Sequence, residues 1–348
     1  MSELLSLEHA ALSERQRDAR MRPPQDGASR PAPPAPVKVI YIAGYGRSGT
    51  TLLDVALGQI DGVLGAGEIT TLSRHVWSNG EFCACGATVA ECRLWQDIVR
   101  RWQHGDKPDM LDAYHRSQRR HELLFSPSRA FDALAGRAGN SSYAVRTARL
   151  FAAITEMSGC PVIVDSSKLP GRGQALARVP GLDLYVVHMV RDGRGVAWSL
   201  RKPHLRAIEK GVQRELHPKP LLHVALRWSL VNLEAERLCA TVGRERSLRV
   251  RYEDFVDDPA GTVDMILALV SGEQTHAMSL DMQAPIAPFH QMAGSRHRMS
   301  KSIAISRDEK WKHEMPAGQQ RLFSVLGAPL LRRYGYLDGD RQRLGSFT

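Results

Sequence analysis

Short apolar runs rich in β-branched residues recur along this chain, and each ends in a glycine turn or a polar cluster that opens a helical stretch. The clearest runs cover residues 37–43, 161–165, 182–190 and 248–252. Runs that are apolar throughout indicate strands buried on both faces, and strands alternating with helices indicate parallel pairing. The sequence therefore predicts an α/β fold, with a mainly parallel central sheet and helices on both of its faces. Ligands of such sheets bind outside the carboxyl ends of the strands, where the polar clusters fall.

Helices are predicted from the spacing of apolar residues and from end signals. They cover residues 50–59, 94–102, 109–125, 143–157, 196–201, 221–240 and 260–269. Mostly helical insertions into the sheet fold are expected at about 70–160 and 200–225.

The two ends of the chain differ from its middle. Residues 1–36 hold six of the nineteen prolines, which cannot lie in helix or sheet interiors. We therefore expect a disordered Pro/Ala/Arg-rich arm at 1–36, a single domain at 37–340 and a tail at 341–348. No stretch reaches the ~20 apolar residues of a membrane span, and the N-terminus lacks the apolar core of a signal peptide. A cytoplasmic protein without a membrane span is expected.

The charge of the chain limits the kinds of ligand that it can be expected to bind. A formal net charge of +10 favours anionic ligands. Aromatic residues make up only 6% and the basic residues are scattered, which disfavours a nucleic-acid surface with stacking platforms. We expect no nucleic-acid partner, and a homodimer is compatible with the sequence.

The first candidate site is the segment from Gly44 to Thr51, which reads GYGRSGTT between a predicted strand and a predicted helix. Backbone amides and the positive end of a helix dipole converge on an anion in such a P-loop-like turn. The candidate ligand-binding residues are Gly46, Arg47, Ser48, Gly49, Thr50 and Thr51. Thr50 stands where an ATPase loop has lysine, which argues against hydrolysis of ATP or GTP.

A second strand, glycine turn and helix start follow about 145 residues later. Arg191 lies at the end of the predicted strand, and Ser199 lies eight residues on, about two helical turns along. An arginine fork and a hydroxyl placed in this way can meet on one phosphate.

Together the two motifs resemble the PAPS-dependent sulfotransferase superfamily, in the bacterial branch that also looks like tyrosylprotein sulfotransferase around residues 47–51. The resemblance continues through Gly67-Glu68, residues 165–168, 251–259 and 294–311. It implies transfer of a sulfuryl group from 3′-phosphoadenosine 5′-phosphosulfate (PAPS) to an acceptor hydroxyl or amine by in-line displacement, with release of adenosine 3′,5′-bisphosphate. The acceptor would be a small molecule or a peptide, and the helical insertions would carry the specificity for it. The first loop would then bind the 5′-phosphosulfate, and Arg191 with Ser199 would bind the 3′-phosphate.

The same resemblance implies catalytic roles. Glu68 would be the general base, and Arg47 with Lys168 would hold charge on the sulfuryl and bridging oxygens. His75 is the alternative base, because other sulfotransferase branches use histidine. Arg298 matches the C-terminal loop that closes on the nucleotide, although Ser295 stands at that loop's usual asparagine. PAPS is the expected co-substrate, and no metal is required.

Cys83, Cys85 and Cys92 lie close together in a glycine-containing loop. Three thiols could be part of a zinc site, but no fourth ligand stands at the usual spacing, although His75 or His104 could be recruited. Packing, or one disulfide, is the simpler interpretation, so no metal ligand is predicted.

Two other functions remain open at this point. An ATP-dependent phosphoryl transferase would need magnesium, whereas sulfuryl transfer should survive EDTA. A non-enzymatic nucleotide- or polyanion-binding protein would not need Glu68, and its binding would depend strongly on salt.

Overall fold

The protein is described here from a computed structural model, which covers residues 35–104, 109–203, 207, 215, 217–272 and 285–337. Nearly all of the predicted N-terminal arm, the predicted C-terminal tail and much of the insertion at 200–225 lie outside these residues. The domain limits therefore stay a prediction.

A parallel sheet of five strands forms the centre of the described residues. Across the sheet the strand order is β2-β3-β1-β4-β5, and every neighbouring pair is parallel. The central strand β1 pairs with β3 on one side and β4 on the other, so the loops that follow these three strands meet at one edge. The strands are β1 Val37–Ala43, β2 Val63–Gly65, β3 Val162–Lys168, β4 Leu182–Val190 and β5 Ser247–Arg251.

Helices lie between and after the strands, as the sequence predicted. In chain order they are α1 Thr50–Leu57, α2 Arg93–Gln103, α3 Met110–His121, α4 Pro127–Leu134, α5 Ser142–Ser158, α6 Pro170–Leu176, α7 Gly193–Leu200, α8 Leu221–Val242, α9 Tyr252–Asp257, α10 Pro259–Ser271, α11 Trp311–Glu314, α12 Ala317–Leu326 and α13 Ala328–Arg333. None of these helices is both long enough and apolar enough to cross a membrane.

The two faces of the sheet are both covered. Val39 and Tyr41 of β1 pack in one apolar cluster with α2, α3, α5, α6 and part of α8. Ile40 and Ile42 point the other way, into a cluster with α1, α9 and α10. Successive side chains of a strand point to opposite faces, so an entirely apolar strand needs both layers. The predicted α/β fold with helices on both faces is confirmed.

The insertion between β2 and β3 is helical, and one of its boundaries differs from the prediction. A helix was predicted over 109–125, but α3 ends at His121. The buried side chain of Arg129 explains this end, because it donates to the carbonyl oxygens of Leu123 at 2.6 Å and Leu124 at 3.1 Å. The chain then turns into α4, and the N-cap residue of this helix, Ser126, was not predicted.

Candidate active site

The loop after β1 has the backbone geometry of an anion cradle. Gly49 has a φ of 90° and precedes α1, whose first amide groups have no acceptor within the helix. A Cβ on Gly44 would lie 2.3 Å from the carbonyl oxygen of Met189, so only glycine fits there. Arg47 itself takes a φ of 71°, a conformation that side chains rarely adopt. Strain of this kind at a non-glycine residue clusters at ligand sites.

Ser48 has a buried hydroxyl without a hydrogen-bond partner among the described residues. Thr50 and Thr51 are buried beside it, at the start of α1. A buried polar group left without a partner is costly, so a hydroxyl in this position fits a bound ligand oxygen.

The second predicted motif meets the first. Arg47 Nε donates to Ser199 Oγ at 3.1 Å, and Arg191 Nη1 donates to the carbonyl oxygen of Arg47 at 3.1 Å. Asp192 caps α7 by accepting from the amide of Arg194 at 2.9 Å, which fixes the turn between Arg191 and the helix. The structure thus brings Arg47, Arg191 and Ser199 together.

Arg191 is held by groups that sequence reasoning did not single out. Its Cζ lies 4.3 Å from the centre of the Tyr252 ring, and Nη2 donates to the Asp308 carbonyl oxygen at 2.7 Å and carboxylate at 3.1 Å. Burial raises the pKa of Asp308, but the hydrogen bond and charge of Arg191 outweigh it, so the pKa lies below its ordinary value. Both residues stood in segments that matched the family, yet nothing in their spacing marked them as partners of Arg191.

The predicted base and its cation form an ion pair. Lys168 Nζ donates to Glu68 Oε1, and both side chains are 19% exposed. Lys168 ends β3 with a φ of 72°, a second strained non-glycine residue at the site. Because its carbonyl oxygen accepts from the amide of Gly44 at 2.9 Å, this pair lies next to the first loop.

A buried polar network lies behind this pair. Arg172 contacts Glu122 and donates to Asp165 at 2.8 Å, and all three side chains are at most 9% exposed. Burial lowers the pKa of Arg172, but the two carboxylates outweigh it and raise the pKa well above its ordinary value.

The network reaches both sides of the Glu68 and Lys168 pair. Glu122 accepts from the hydroxyl of Thr70 at 2.7 Å, and the amide of Thr70 donates to Ser167 Oγ at 3.0 Å. Thr70 follows Glu68 by two residues and Ser167 precedes Lys168, so this chain of hydrogen bonds ties the two segments together.

The remaining predicted residues are placed less directly. Arg298 is fully buried and donates to the carbonyl oxygens of Phe82 at 3.3 Å and Gly294 at 3.4 Å. A direct contact between Arg298 and a nucleotide would need this loop to move, so that role stays a prediction. His75 lies in a π-helical turn, Leu72–Val76, and its side chain is outside the described part of the chain. Gly46 lies in the first loop, where a Cβ would have no neighbour within 4 Å.

The cysteines acquire a fourth neighbour that their spacing did not indicate. The ligand atoms of Cys83, Cys85, Cys92 and His290 lie within 4.8 Å of one another. His104, which the sequence offered as a fourth ligand, is not in this group, and the side chain of His75 is not described. Only the tertiary fold brings His290 to this loop.

Strained arginine and lysine residues lie at or just after the ends of neighbouring parallel strands, at the place where α/β proteins that bind anionic ligands hold them. Comparison with known protein families identifies the class of this protein. The model of the sulfotransferase family matches residues 39–273. This chain belongs to the sulfotransferase family, and its reaction class is sulfuryl transfer.

Several solved structures also match the chain. The sulfotransferase domain of the Synechococcus PCC 7002 olefin synthase is 20% identical, with a TM-score of 0.46, over 88% of this chain and 98% of that chain. The sulfotransferase domain from the curacin biosynthetic pathway is 16% identical, with a TM-score of 0.44, over 84% and 98%. Sulfotransferase STF9 from Mycobacterium avium is 13% identical, with a TM-score of 0.41, over 86% and 77%. No curated protein matches the chain significantly.

Proposed function

We propose that this sulfotransferase takes its sulfuryl group from PAPS and passes it to a hydroxyl or amine of a small-molecule or peptide acceptor. The contact between Arg47 and Ser199, at 3.1 Å, carries the proposal, because it brings the two motifs with anion-binding features next to each other. A nucleotide with phosphates on both its 5′ and 3′ oxygens needs two such neighbouring sites.

The residues of the first loop fit the 5′ end of such a nucleotide. Ser48 offers a buried hydroxyl that is unpartnered among the described residues, and the amides at the start of α1 offer donors. Arg191 and Ser199 would hold the 3′-phosphate. Arg191 already lies in a buried, directed position, so little side-chain freedom is lost on binding.

Glu68, Lys168 and Arg47 would carry the reaction. In the transfer, the acceptor oxygen or nitrogen bonds to sulfur while the bond from sulfur to the bridging phosphate oxygen breaks, and the bisphosphate leaves with that electron pair. Glu68 takes the proton of the acceptor, and Lys168 and Arg47 balance the charge that grows on the leaving oxygen. Lys168 therefore exchanges its present contact with Glu68 for the substrate when both substrates bind.

Binding and turnover test the proposal separately. By calorimetry, the full chain should bind adenosine 3′,5′-bisphosphate more tightly than ATP. With ³⁵S-labelled PAPS and a panel of phenols, alcohols and amines, label should move to an acceptor in buffer without Mg²⁺ and with brief exposure to EDTA. A preference for ATP, together with Mg²⁺-dependent transfer of phosphate, would support the phosphoryl transferase instead.

A further inference from the structure

Three thiols and one imidazole meet outside the residues assigned to the nucleotide and the transferred group. Cys92 Sγ lies 3.3 Å, and Cys83 Sγ 3.9 Å, from Nδ1 of His290. Cys85 belongs to the same group, in which every ligand atom lies within 4.8 Å of the others. The histidine comes from a segment 198 residues beyond Cys92. Such a set brought together from two distant segments is a folded arrangement, not a feature of one loop.

The distances match a tetrahedral zinc site. Bond lengths of about 2.3 Å to sulfur and about 2.0 Å to nitrogen place ligand sulfur and nitrogen atoms about 3.5 Å apart in a tetrahedron. The two distances from Cys92 and Cys83 to His290 lie on either side of that value. Three cysteines and one histidine are a usual set for structural zinc, and four protein ligands leave no open position for catalysis.

The ligands are held by contacts around them. The indole of Trp95 donates to the His290 carbonyl oxygen at 2.7 Å, which fixes the backbone of the histidine. The amide of Cys83 donates to the carbonyl oxygen of Ala87 at 2.8 Å, and the carbonyl oxygen of Cys83 accepts from the amide of Gly86 at 3.0 Å. Gly86 has a φ of 93°, as this tight turn requires. Supporting contacts that orient the ligands are typical of metal sites.

We propose that Cys83, Cys85, Cys92 and His290 bind one structural zinc ion. Binding displaces the three thiol protons to solvent, so three thiolates and one neutral imidazole surround Zn²⁺ with a net charge of −1. The ion itself takes no part in sulfuryl transfer, since its coordination is complete.

The zinc site would link the cysteine loop to the segment around Met292, which contacts the backbone of Glu68, the proposed base. The amide of Ala84 donates to the Gln291 carbonyl oxygen at 3.1 Å, next to His290. Met292 follows Gln291. Its amide donates to the carbonyl oxygen of Ala66 at 3.1 Å, and its carbonyl oxygen accepts from the amide of Glu68 at 3.0 Å. Zinc therefore holds the strand-like segment that positions the backbone of Glu68.

Metal analysis of the full chain tests the site directly. Protein purified without chelators from zinc-supplemented cells should contain about one zinc per chain by plasma mass spectrometry. The variants Cys83→Ser, Cys92→Ser and His290→Ala should each weaken zinc binding at least about tenfold. Cys160→Ser and Cys239→Ser change thiols outside the group and should keep the full zinc content. Wild-type protein without zinc would overturn the proposal, as would full zinc in the three site variants.

Two measurements on wild-type protein cover the case in which a site variant does not fold. Replacement of zinc by Co²⁺ should give the visible absorption of a tetrahedral cobalt thiolate, and titration with a mercurial should release zinc in step with loss of the thiols. Metal-free protein should melt more than about 5 °C lower, because the ion closes a long loop. An intact mass that shows a disulfide between two of the three cysteines, or a cobalt spectrum without thiolate bands, would refute the site.

Discussion

Arg47 Nε and Ser199 Oγ lie 3.1 Å apart although 152 residues separate them in the chain. Each belongs to a different strand-end motif, one after β1 and the other on α7. The hydrogen bond between them means that the two motifs share one polar surface. An anion bound at the first loop therefore lies beside the groups of the second, and changes at one motif can be measured through a ligand that reaches both.

The first prediction concerns the 3′-phosphate. A charge-assisted hydrogen bond contributes about 1.5 to 3 kcal/mol, so Arg191→Ala should weaken binding of adenosine 3′,5′-bisphosphate about 10- to 150-fold. Binding of 5′-AMP, which lacks that phosphate, should barely change. Calorimetry with both ligands isolates the contact, and Arg201→Ala, at an exposed arginine just after α7, controls for the loss of one positive charge. Equal losses for the two ligands would make Arg191 a structural residue.

Replacement of the base forms the second prediction. Glu68→Gln keeps the shape of the side chain but cannot accept the proton of the acceptor, so turnover should fall about 10²-fold or more. Affinity for adenosine 3′,5′-bisphosphate should stay unchanged, as calorimetry can verify. Glu156→Gln, at an exposed carboxylate of α5, is the matched control. If turnover stays near normal in Glu68→Gln, the role passes to His75, and His75→Ala is the next variant to measure.

Alanine substitutions at Gly67 and Gly80 would distinguish the effect of backbone strain from that of a steric clash. Both have positive φ, of 81° and 62°, but a Cβ on Gly67 would lie 2.0 Å from the Met292 carbonyl oxygen, whereas one on Gly80 would have no neighbour within 4 Å. Gly80→Ala should therefore lose only about 1 to 2 kcal/mol of unfolding free energy, the strain of the left-handed conformation. Gly67→Ala should lose more, and it should also lose turnover, because the clash displaces Glu68. Equal effects of the two variants on unfolding and turnover would show that the clash relaxes freely.

The fourth prediction concerns Asp54, a fully buried carboxyl on α1. Its Oδ2 accepts from the amide of Gly67 at 3.1 Å and from the Ser166 hydroxyl. Burial, only partly offset by these hydrogen bonds, raises the pKa of Asp54 to about 7. Between its ordinary value of about 3.9 and 7, the folded protein therefore keeps a proton that the unfolded chain releases, and the contribution of this group to stability falls as pH rises.

Asp54→Asn removes this titration. The unfolding free energy of the wild type minus that of the variant should fall by about 2 kcal/mol between pH 5 and pH 7, following about 1.4 kcal/mol per pKa unit. Urea unfolding at a series of pH values measures it. A difference that stays constant, or that rises with pH, would contradict the raised pKa of Asp54.

Local patterns were enough to predict the framework of the site. The apolar runs at β1, β3 and β4 indicated buried parallel strands, and topology then placed Arg47, Lys168 and Arg191 at one edge of the sheet. Helix ends were harder to predict. The helix α3 ends where Arg129 donates to carbonyl oxygens of the turn that follows this helix, and the spacing of apolar residues does not indicate such a contact.

The sequence by itself determined the class of fold, the two strand-end motifs and the membership of the sulfotransferase family, since these rest on residues that are neighbours in the chain. Tertiary structure decided which side chains meet. Tyr252 and Asp308 hold Arg191, the network of Arg172 ties the ends of two segments, and His290 joins three cysteines from far along the chain. Contacts of this kind depend on the packing of whole elements, where a single turn of a helix or loop changes every partner, so residue spacing alone does not contain them.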